Sequence, residues 1–219
     1  MIKLFPLLSV LFLIYWGCEE QDTIPTELTL WEIDYSIEDT DSLDLSFTGL
    51  TGPIPTEIGN LINLTYLDLR GNDFTGKIPP EIGNLTNLNY LDLGFNQLTD
   101  SIPPEIGNLT NLGYLDLYNN DLTGSIPPEI WDLTNLTSLV LGFNQLLGSI
   151  PPEIGNLTNL EYLLLHSNQL TGKIPKSICD LGINWSDPWY FSTNNNQLCP
   201  PYPYCPGDYV VDPNPPNCD

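Results

Sequence analysis

A 24-residue repeat runs through most of the chain and limits the folds that the chain can adopt. One leucine and one asparagine recur at this spacing: Leu64, Leu88, Leu112, Leu136 and Leu160, and Asn72, Asn96, Asn120, Asn144 and Asn168. A fixed period of this length predicts a solenoid, in which each unit buries its apolar edge only against its neighbours.

Each unit is predicted to contain a short strand followed by a helical turn. Leu67 and Leu69 alternate with Asp68, so we expect the leucines to point inward and the aspartate outward. Asn72 then ends the strand, where its side chain can bond backbone groups that a bending chain leaves unpaired. Stacked copies of this residue predict an asparagine ladder. Apolar residues at helical spacing follow and face inward: Ile78, Ile82 and Leu85.

The repeated pattern LxxLxLxxNxLTGxIPxxIGNL, which covers residues 42–181, resembles the plant-type leucine-rich repeat. Such repeats occur in plant receptor ectodomains, in polygalacturonase-inhibiting proteins and in secreted bacterial proteins. The resemblance implies an α/β-type leucine-rich repeat solenoid: a right-handed superhelix with a parallel sheet on its concave face. It also implies a second short strand at the Thr-Gly segment and 3₁₀ turns on the outside.

The start of the chain predicts export from the cytoplasm. Residues 1–17 contain Lys3 and then an apolar run too short to span a bilayer, which is typical of a secretory signal peptide. Gly17-Cys18 followed by acidic residues resembles a bacterial lipoprotein cleavage site. We therefore predict a protein of the cell envelope or cell surface, anchored by lipidation of Cys18, with plain secretion as the alternative.

Residues 18–41 do not match the repeat and are predicted to form a lipid-anchored tether and an N-terminal cap. A solenoid needs a cap because its end repeat otherwise exposes core leucines. Apolar residues alternate with polar ones here and predict an edge strand over the first repeat: Trp31, Ile33, Tyr35 and Ile37.

Residues 182–219 are predicted to form a C-terminal cap. Asn196 lies 28 residues after Asn168, so a last repeat carries an insertion of four residues, which we place within residues 183–191.

Disulfides are predicted to hold this cap together. The ending LCPPYPYC resembles the cysteine cap of plant-type repeats, with its cysteines one residue closer. Setting Cys18 aside leaves Cys179, Cys199, Cys205 and Cys218, which allow three pairings. We favour Cys199–Cys205 with Cys179–Cys218, and the rival is Cys179–Cys199 with Cys205–Cys218. Two bridges fit an oxidising compartment.

The charge of the chain excludes several kinds of partner. Lysine and arginine total 5 against 28 aspartates and glutamates, for a formal net charge of −23. Such a chain repels nucleic acid phosphates and anionic membranes, so we expect no nucleic acid partner and membrane association only through a lipid anchor. We expect a monomer without a cofactor.

Outward strand positions line up as columns, because adjacent strands lie about 4.8 Å apart. One column contains Ser42, Tyr66, Tyr90, Tyr114, Ser138 and Tyr162. The next contains Asp44, Asp68, Asp92, Asp116, Val140 and Leu164. The third includes Arg70, Tyr118 and His166, and the fourth includes Phe47, Phe95 and Phe143.

These columns predict a binding face for a protein or peptide, used in adhesion or recognition. Tyrosine is a common interface anchor because it offers a large area, little entropy to lose and a polar tip. The predicted ligand-binding residues are Tyr66, Tyr90, Tyr114, Tyr118, Phe143, Tyr162, Asp68, Asp92 and Asp116. The purely structural alternative is that tyrosine and aspartate suit strands and stabilise neighbouring repeats.

A second hypothesis follows from the resemblance to the plant inhibitors. It assigns the face to a neutral carbohydrate, or to inhibition of a secreted polysaccharide-degrading enzyme. Aromatic platforms suit sugars, whereas the aspartate column would repel uronates.

Catalysis and metal binding are the weakest hypotheses. Paired carboxylates can hydrolyse glycosides or ligate calcium. The aspartates of this column are identical and repetitive, however, so we expect solvated carboxylates and no enzyme. His166 lacks a partner for catalysis or metal binding, and we predict a surface histidine.

Overall fold

The structure, a computed structural model, describes residues 26–185 and 189–205. The predicted signal peptide, the lipidation site Cys18 and the predicted disulfide partner Cys218 lie outside the described residues.

Short strands dominate the described part of the chain. In chain order they are β1 (Glu27–Leu30), β2 (Ile33–Ser36), β3 (Ser42–Asp44), β4 (Thr51–Gly52), β5 (Tyr66–Asp68), β6 (Asp73–Lys77), β7 (Tyr90–Asp92), β8 (Gln97–Thr99), β9 (Tyr114–Asp116), β10 (Ser138–Val140), β11 (Tyr162–Leu164), β12 (Thr171–Lys173), β13 (Phe191–Ser192) and β14 (Gln197–Cys199).

A parallel sheet of seven strands runs along the solenoid. Its order is β3-β5-β7-β9-β10-β11-β13, so each repeat adds one strand beside the strand of the preceding repeat. The register pairs Tyr66 with Tyr90 and Asp68 with Asp92, and it continues in the same way to β11. The predicted columns are therefore confirmed.

The remainder of each repeat forms a second, shorter strand and a 3₁₀ turn. Parallel pairs join β4, β6 and β8, and also β12 and β14. A proline occupies the first position of four of the described turns, where its missing N–H costs little and its φ suits the turn. The turns are Thr56–Asn60, Pro80–Asn84, Pro104–Asn108, Pro128–Asp132, Pro152–Asn156 and Lys176–Asp180.

The predicted asparagine ladder is present. The side-chain amide of Asn120 donates to the carbonyls of Leu93 and Leu117, and its oxygen accepts from the N–H of Leu98. Asn72 begins the ladder, and the Oγ1 of Thr48 donates to its side-chain oxygen. The same bonds recur at Asn96, Asn144, Asn168 and Asn196.

One hydrophobic cluster extends from Leu30 to Cys205. Leu67 and Leu69 are fully buried, as the alternation predicted. Within residues 26–185 and 189–205, no helix has the length and apolarity needed to cross a bilayer.

The N-terminal cap differs from the single edge strand predicted. Strands β1 and β2 form an antiparallel hairpin whose two-residue turn is Trp31-Glu32. Both turn residues have positive φ, 49° and 66°, as a tight hairpin turn requires. Trp31 therefore lies in a turn and not in a strand, and its ring centroid is 5.5 Å from that of Phe74.

The C-terminal cap corrects the disulfide prediction. Cys179 bonds to Cys205, with a Cα–Cα distance of 5.0 Å, so the favoured pairing and its rival were both wrong. Cys199 is also disulfide-bonded. Cys179 lies in the turn Lys176–Asp180, and the disulfide joins this turn to Cys205.

The inserted residues lie before the last strand. Phe191, which we placed in the insertion, is buried and begins β13, which pairs with β11. Asn196 continues the ladder after the insertion and confirms the predicted shift of four residues.

Candidate functional site

The outward side of the seven-stranded sheet, here called the sheet face, carries most of the predicted site residues. Tyr66, Tyr90 and Tyr114 form a tyrosine ladder with ring centroids 4.4 Å apart and nearly parallel planes. Each hydroxyl donates to an aspartate two residues later on its own strand, at 3.4, 3.2 and 3.1 Å. The strand spacing therefore fixes the stack, and the aspartates fix the orientation of the rings.

The aspartate column is solvated at Asp44, as predicted, but not at the two aspartates that follow it. Asp68 is fully buried and Asp92 is only 2% exposed, because the tyrosine rings and a guanidinium cover them. Each carboxylate also accepts the backbone N–H two residues later, at 3.1 Å for Asp68 and 2.9 Å for Asp92. Strand alternation shows that a side chain points outward, but it does not show whether a neighbour covers it. These two carboxylates position tyrosines and are not open to a ligand.

Arg70 compensates part of this buried charge. Its guanidinium lies 3.4 Å from Asp68 and 3.5 Å from Asp92, and it also lies 5.7 Å from the centre of the Phe47 ring. The two carboxylates raise the pKa of Arg70, Asp68 most strongly.

Asp116, one strand further along, has no ion pair with Arg70 comparable to these two. The pKa of Asp116 is raised to about 6, mainly by burial and to a smaller extent by the neighbouring Asp92, although the hydrogen bond from the Tyr118 N–H lowers it. Burial raises the pKa of Asp92 as well.

A second row of rings runs beside the tyrosine ladder. We call it the aromatic ridge: Phe95, Tyr118, Phe143 and His166. The centroid of Tyr118 lies 5.2 Å from those of Phe95 and Phe143, and His166 meets Phe143 edge-on at 5.3 Å. Phe95 and Phe143 are 54% and 46% exposed, so the ridge is an open apolar surface.

The phenylalanines of the fourth column occupy a costly backbone conformation. Phe47, Phe95 and Phe143 have φ of 54°, 52° and 53°, in the left-handed region. The same position in other repeats is held by Gly71 and Asn119, which suit that region. A bulky residue there costs about 1–2 kcal/mol, so its ring is placed outward at the expense of stability.

His166, which we predicted to be a surface histidine, belongs to the ridge. It is half-buried beside Phe143 and Tyr118. Burial lowers the pKa of His166, so the ring is neutral at pH 7.

The tyrosine column is interrupted at Ser138, and a groove of about 500 Å³ opens there. Tyr114 and Tyr162 stand on either side, and Ser138, Val140 and Leu164 lie between and beneath them. The groove is also lined by Asp116, Tyr118, Thr137, Glu161 and Trp189. The structure thus brings Tyr114, Tyr118 and Tyr162 together, with Phe143 beside them in the ridge.

Some residues of this site were missing from the sequence-based prediction. Phe95 and His166 were not chosen, although glycine or asparagine at equivalent positions signalled that Phe95 is strained. Trp189 lies in the insertion, where no repeat predicts its place. In the described ranges, no group of three or more His, Cys, Asp or Glu side chains is placed to hold a metal ion.

Comparisons with known proteins place this geometry in a family. A leucine-rich repeat region model matches residues 81–182, and a leucine-rich repeat model matches residues 40–61 and 63–85. The ectodomain of the receptor kinase SOBIR1 from Arabidopsis thaliana is 36% identical, with a TM-score of 0.55, over 61% of this chain and 72% of that chain. The chain belongs to the leucine-rich repeat family.

Two larger plant receptors are also similar to this protein. The plant peptide hormone receptor RGFR1 in complex with RGF2 is 39% identical, with a TM-score of 0.66, over 74% of this chain and 25% of that chain. The Arabidopsis receptor kinase HAESA in complex with the peptide hormone IDA and the co-receptor SERK1 is 38% identical, with a TM-score of 0.68, over 72% of this chain and 26% of that chain. This chain therefore spans about a quarter of the length of these receptors. Among curated protein sequences, no match is found.

Proposed function

We propose that this leucine-rich repeat protein is an extracytoplasmic binding module whose sheet face recognises a protein or peptide. The observation that carries the proposal is the aromatic ridge, because Phe95 and Phe143 keep exposed rings at a backbone cost. Selection for stability alone would favour glycine or asparagine at these positions. The similar plant receptors, two of which are described in complex with RGF2 and with IDA, support a peptide or protein partner.

The proposal includes the location of the protein. The Cys179–Cys205 bond supports an oxidising compartment outside the cytoplasm. We retain the sequence-based prediction that residues 1–17 direct export and that Cys18 carries a lipid anchor.

Selection of displayed peptides tests this function. A library of random twelve-residue peptides is selected on the wild-type protein, and the dissociation constant of each enriched peptide is measured by calorimetry. The test variant is Tyr114→Ala/Phe143→Ala/Tyr162→Ala, which removes three ring side chains of the sheet face. The control is Ile62→Ala/Leu147→Ala, which removes two exposed apolar side chains that lie outside this face.

We expect the triple variant to weaken binding at least tenfold and the control to stay within twofold of wild type. Failure to enrich any peptide, or equal binding by the triple variant, would overturn the proposal.

A further inference from the structure

The break in the tyrosine column has a defined shape. Register places Ser138 directly between Tyr114 and Tyr162, on adjacent parallel strands. Two strand spacings separate the flanking rings by about 9.6 Å. A planar ring inserted midway would lie about 4.8 Å from each of them, close to the 4.4 Å that separates the stacked tyrosines of this chain. We call this space the slot.

The floor of the slot differs from the floor beneath the tyrosine ladder. Under Tyr66, Tyr90 and Tyr114 an aspartate receives each hydroxyl. In the slot, Val140 replaces the aspartate, and Leu164 follows on the next strand. The floor is therefore apolar and suits a ring that brings no hydrogen-bonding group to it.

The charges around the slot restrict what can accompany that ring. Asp116 and the exposed Glu161 line the groove, and its lining residues include no lysine or arginine. The whole chain carries a formal net charge of −23. A cationic group beside the inserted ring would meet an attractive potential, whereas an anionic one would be repelled.

We propose that the slot receives one aromatic side chain of a peptide partner, stacked between Tyr114 and Tyr162, with a lysine or arginine next to it in the peptide. The proposal rests on the peptide-binding function of the sheet face and specifies its ligand. The ridge then contacts the rest of the peptide, since Tyr118 borders both features.

Ser138→Tyr tests the slot because it supplies the missing ring of the column from the protein itself. The matched control is Ser42→Tyr, the same change in the same column, at an exposed position on the terminal strand β3. Tyr162→Ala, which removes one wall at a partly exposed position, serves as a second test variant should Ser138→Tyr fail to fold. Circular dichroism establishes the fold of each variant.

The first readout is an NMR titration with small probes, followed through the backbone amides of residues 138–140 and 162–164. The probes are indole, cyclohexylmethanol as a saturated ring, and methyl β-glucoside as a neutral sugar. We expect indole to bind at least fivefold more tightly than either of the others. We also expect at least tenfold weaker indole binding in Ser138→Tyr and Tyr162→Ala, and binding within twofold of wild type in Ser42→Tyr. Indole binding that survives Ser138→Tyr, or a preference for the glucoside, would overturn the proposal.

The second readout uses twelve-residue Gly/Ser peptides with one central tryptophan, flanked either by lysine or by glutamate. We expect the lysine peptide to bind at least fivefold more tightly in 20 mM salt and this difference to shrink in 500 mM salt, because salt screens the charges that line the groove. Equal affinity of the two peptides at low salt would overturn the cationic part of the proposal.

The two proposals can fail separately. If the triple alanine variant loses the selected peptides while Ser138→Tyr retains them, the sheet face is the binding surface and the slot is not its aromatic pocket. If both variants retain them, the proposed function itself is wrong.

Discussion

At the scale of single residues, Asp116 is a partly buried carboxylate whose charged form destabilises the folded protein. Arg70 forms ion pairs with Asp68 and Asp92. Among the described residues, Asp116 has no such ion pair. Its pKa of about 6 exceeds the value of about 3.9 for an unfolded chain. Between these values the folded state binds more protons, so the free energy of unfolding falls as pH rises from about 4 to 6.

Asp116→Asn is therefore expected to stabilise the protein by about 2 kcal/mol at pH 7 and to flatten the pH dependence between pH 4 and 6. Urea unfolding at several pH values measures both effects. Asp44→Asn is the control in the same column, because hydrogen bonds from Ser46 lower the pKa of Asp44. Asp44→Asn should slightly lower the free energy of unfolding at pH 7. A higher free energy of unfolding in both variants would contradict the electrostatic account.

The strained phenylalanines make a second prediction at this scale. In Phe95→Asn, relief of the left-handed strain and loss of the Tyr118 contact should nearly cancel, leaving stability within about 1 kcal/mol of wild type. Binding of the selected peptides should fall at least tenfold. Phe74→Ala, at a fully buried ring of the core, should instead cost about 3–5 kcal/mol. Denaturation and calorimetry on both variants check the contrast, and a large destabilisation of Phe95→Asn would show that its ring is structural.

At the scale of elements, the asparagine ladder connects each repeat to the next. Asn120→Ala would leave the Leu98 N–H and the Leu93 and Leu117 carbonyls without this partner. Each buried polar group left unpaired costs about 1–3 kcal/mol, so we expect a loss of about 3–5 kcal/mol by urea unfolding. Asn89→Ala removes an exposed side chain that bonds only the nearby Asn87 carbonyl, and it should cost less than about 1 kcal/mol. Equal losses would contradict the ladder's role.

The C-terminal cap leads to another prediction at this scale. Cys179 and Cys205 are 26 residues apart, and closing a loop of that size removes unfolded-state entropy worth about 3 kcal/mol. In Cys179→Ser/Cys205→Ser, hydrogen exchange should accelerate in the last repeat first, because a solenoid frays from an uncapped end. Uniform acceleration along the chain would contradict local capping.

The repeat explains why some elements were predictable and others were not. Leu67, Leu69 and Asn72 recur with fixed spacing, so their inward positions follow from geometry that each unit reproduces. Trp31 and Phe191 lie where the chain leaves the repeat, and no neighbouring copy constrains them. The burial of Asp68 depends on how Tyr66 and Arg70 fold over it, which strand alternation does not encode. The disulfide depends on how residues 200–205 turn back, and cysteine spacing leaves that open.

At the scale of the whole molecule, one continuous core supports a face whose features change along the axis. The tyrosine ladder with its buried aspartates occupies the N-terminal part, and the ridge and the slot occupy the C-terminal part. The tyrosines of the ladder stack on one another, whereas the slot has a serine where the column would place another ring. We therefore assign recognition to β9, β10 and β11 together with the ridge residue Phe95 that follows β7, and structural support to β5 and to the ladder residues of β7.

Paramagnetic relaxation by a bound peptide tests this assignment most directly. A peptide enriched on the wild-type protein is labelled with a nitroxide, and amide broadening is mapped over the whole chain. The account predicts the strongest broadening on β9, β10 and β11 and at the ridge residues Phe95, Phe143 and His166, with none on the 3₁₀ turns. Broadening centred on those turns, or on the shorter strands β4, β6, β8, β12 and β14, would contradict it.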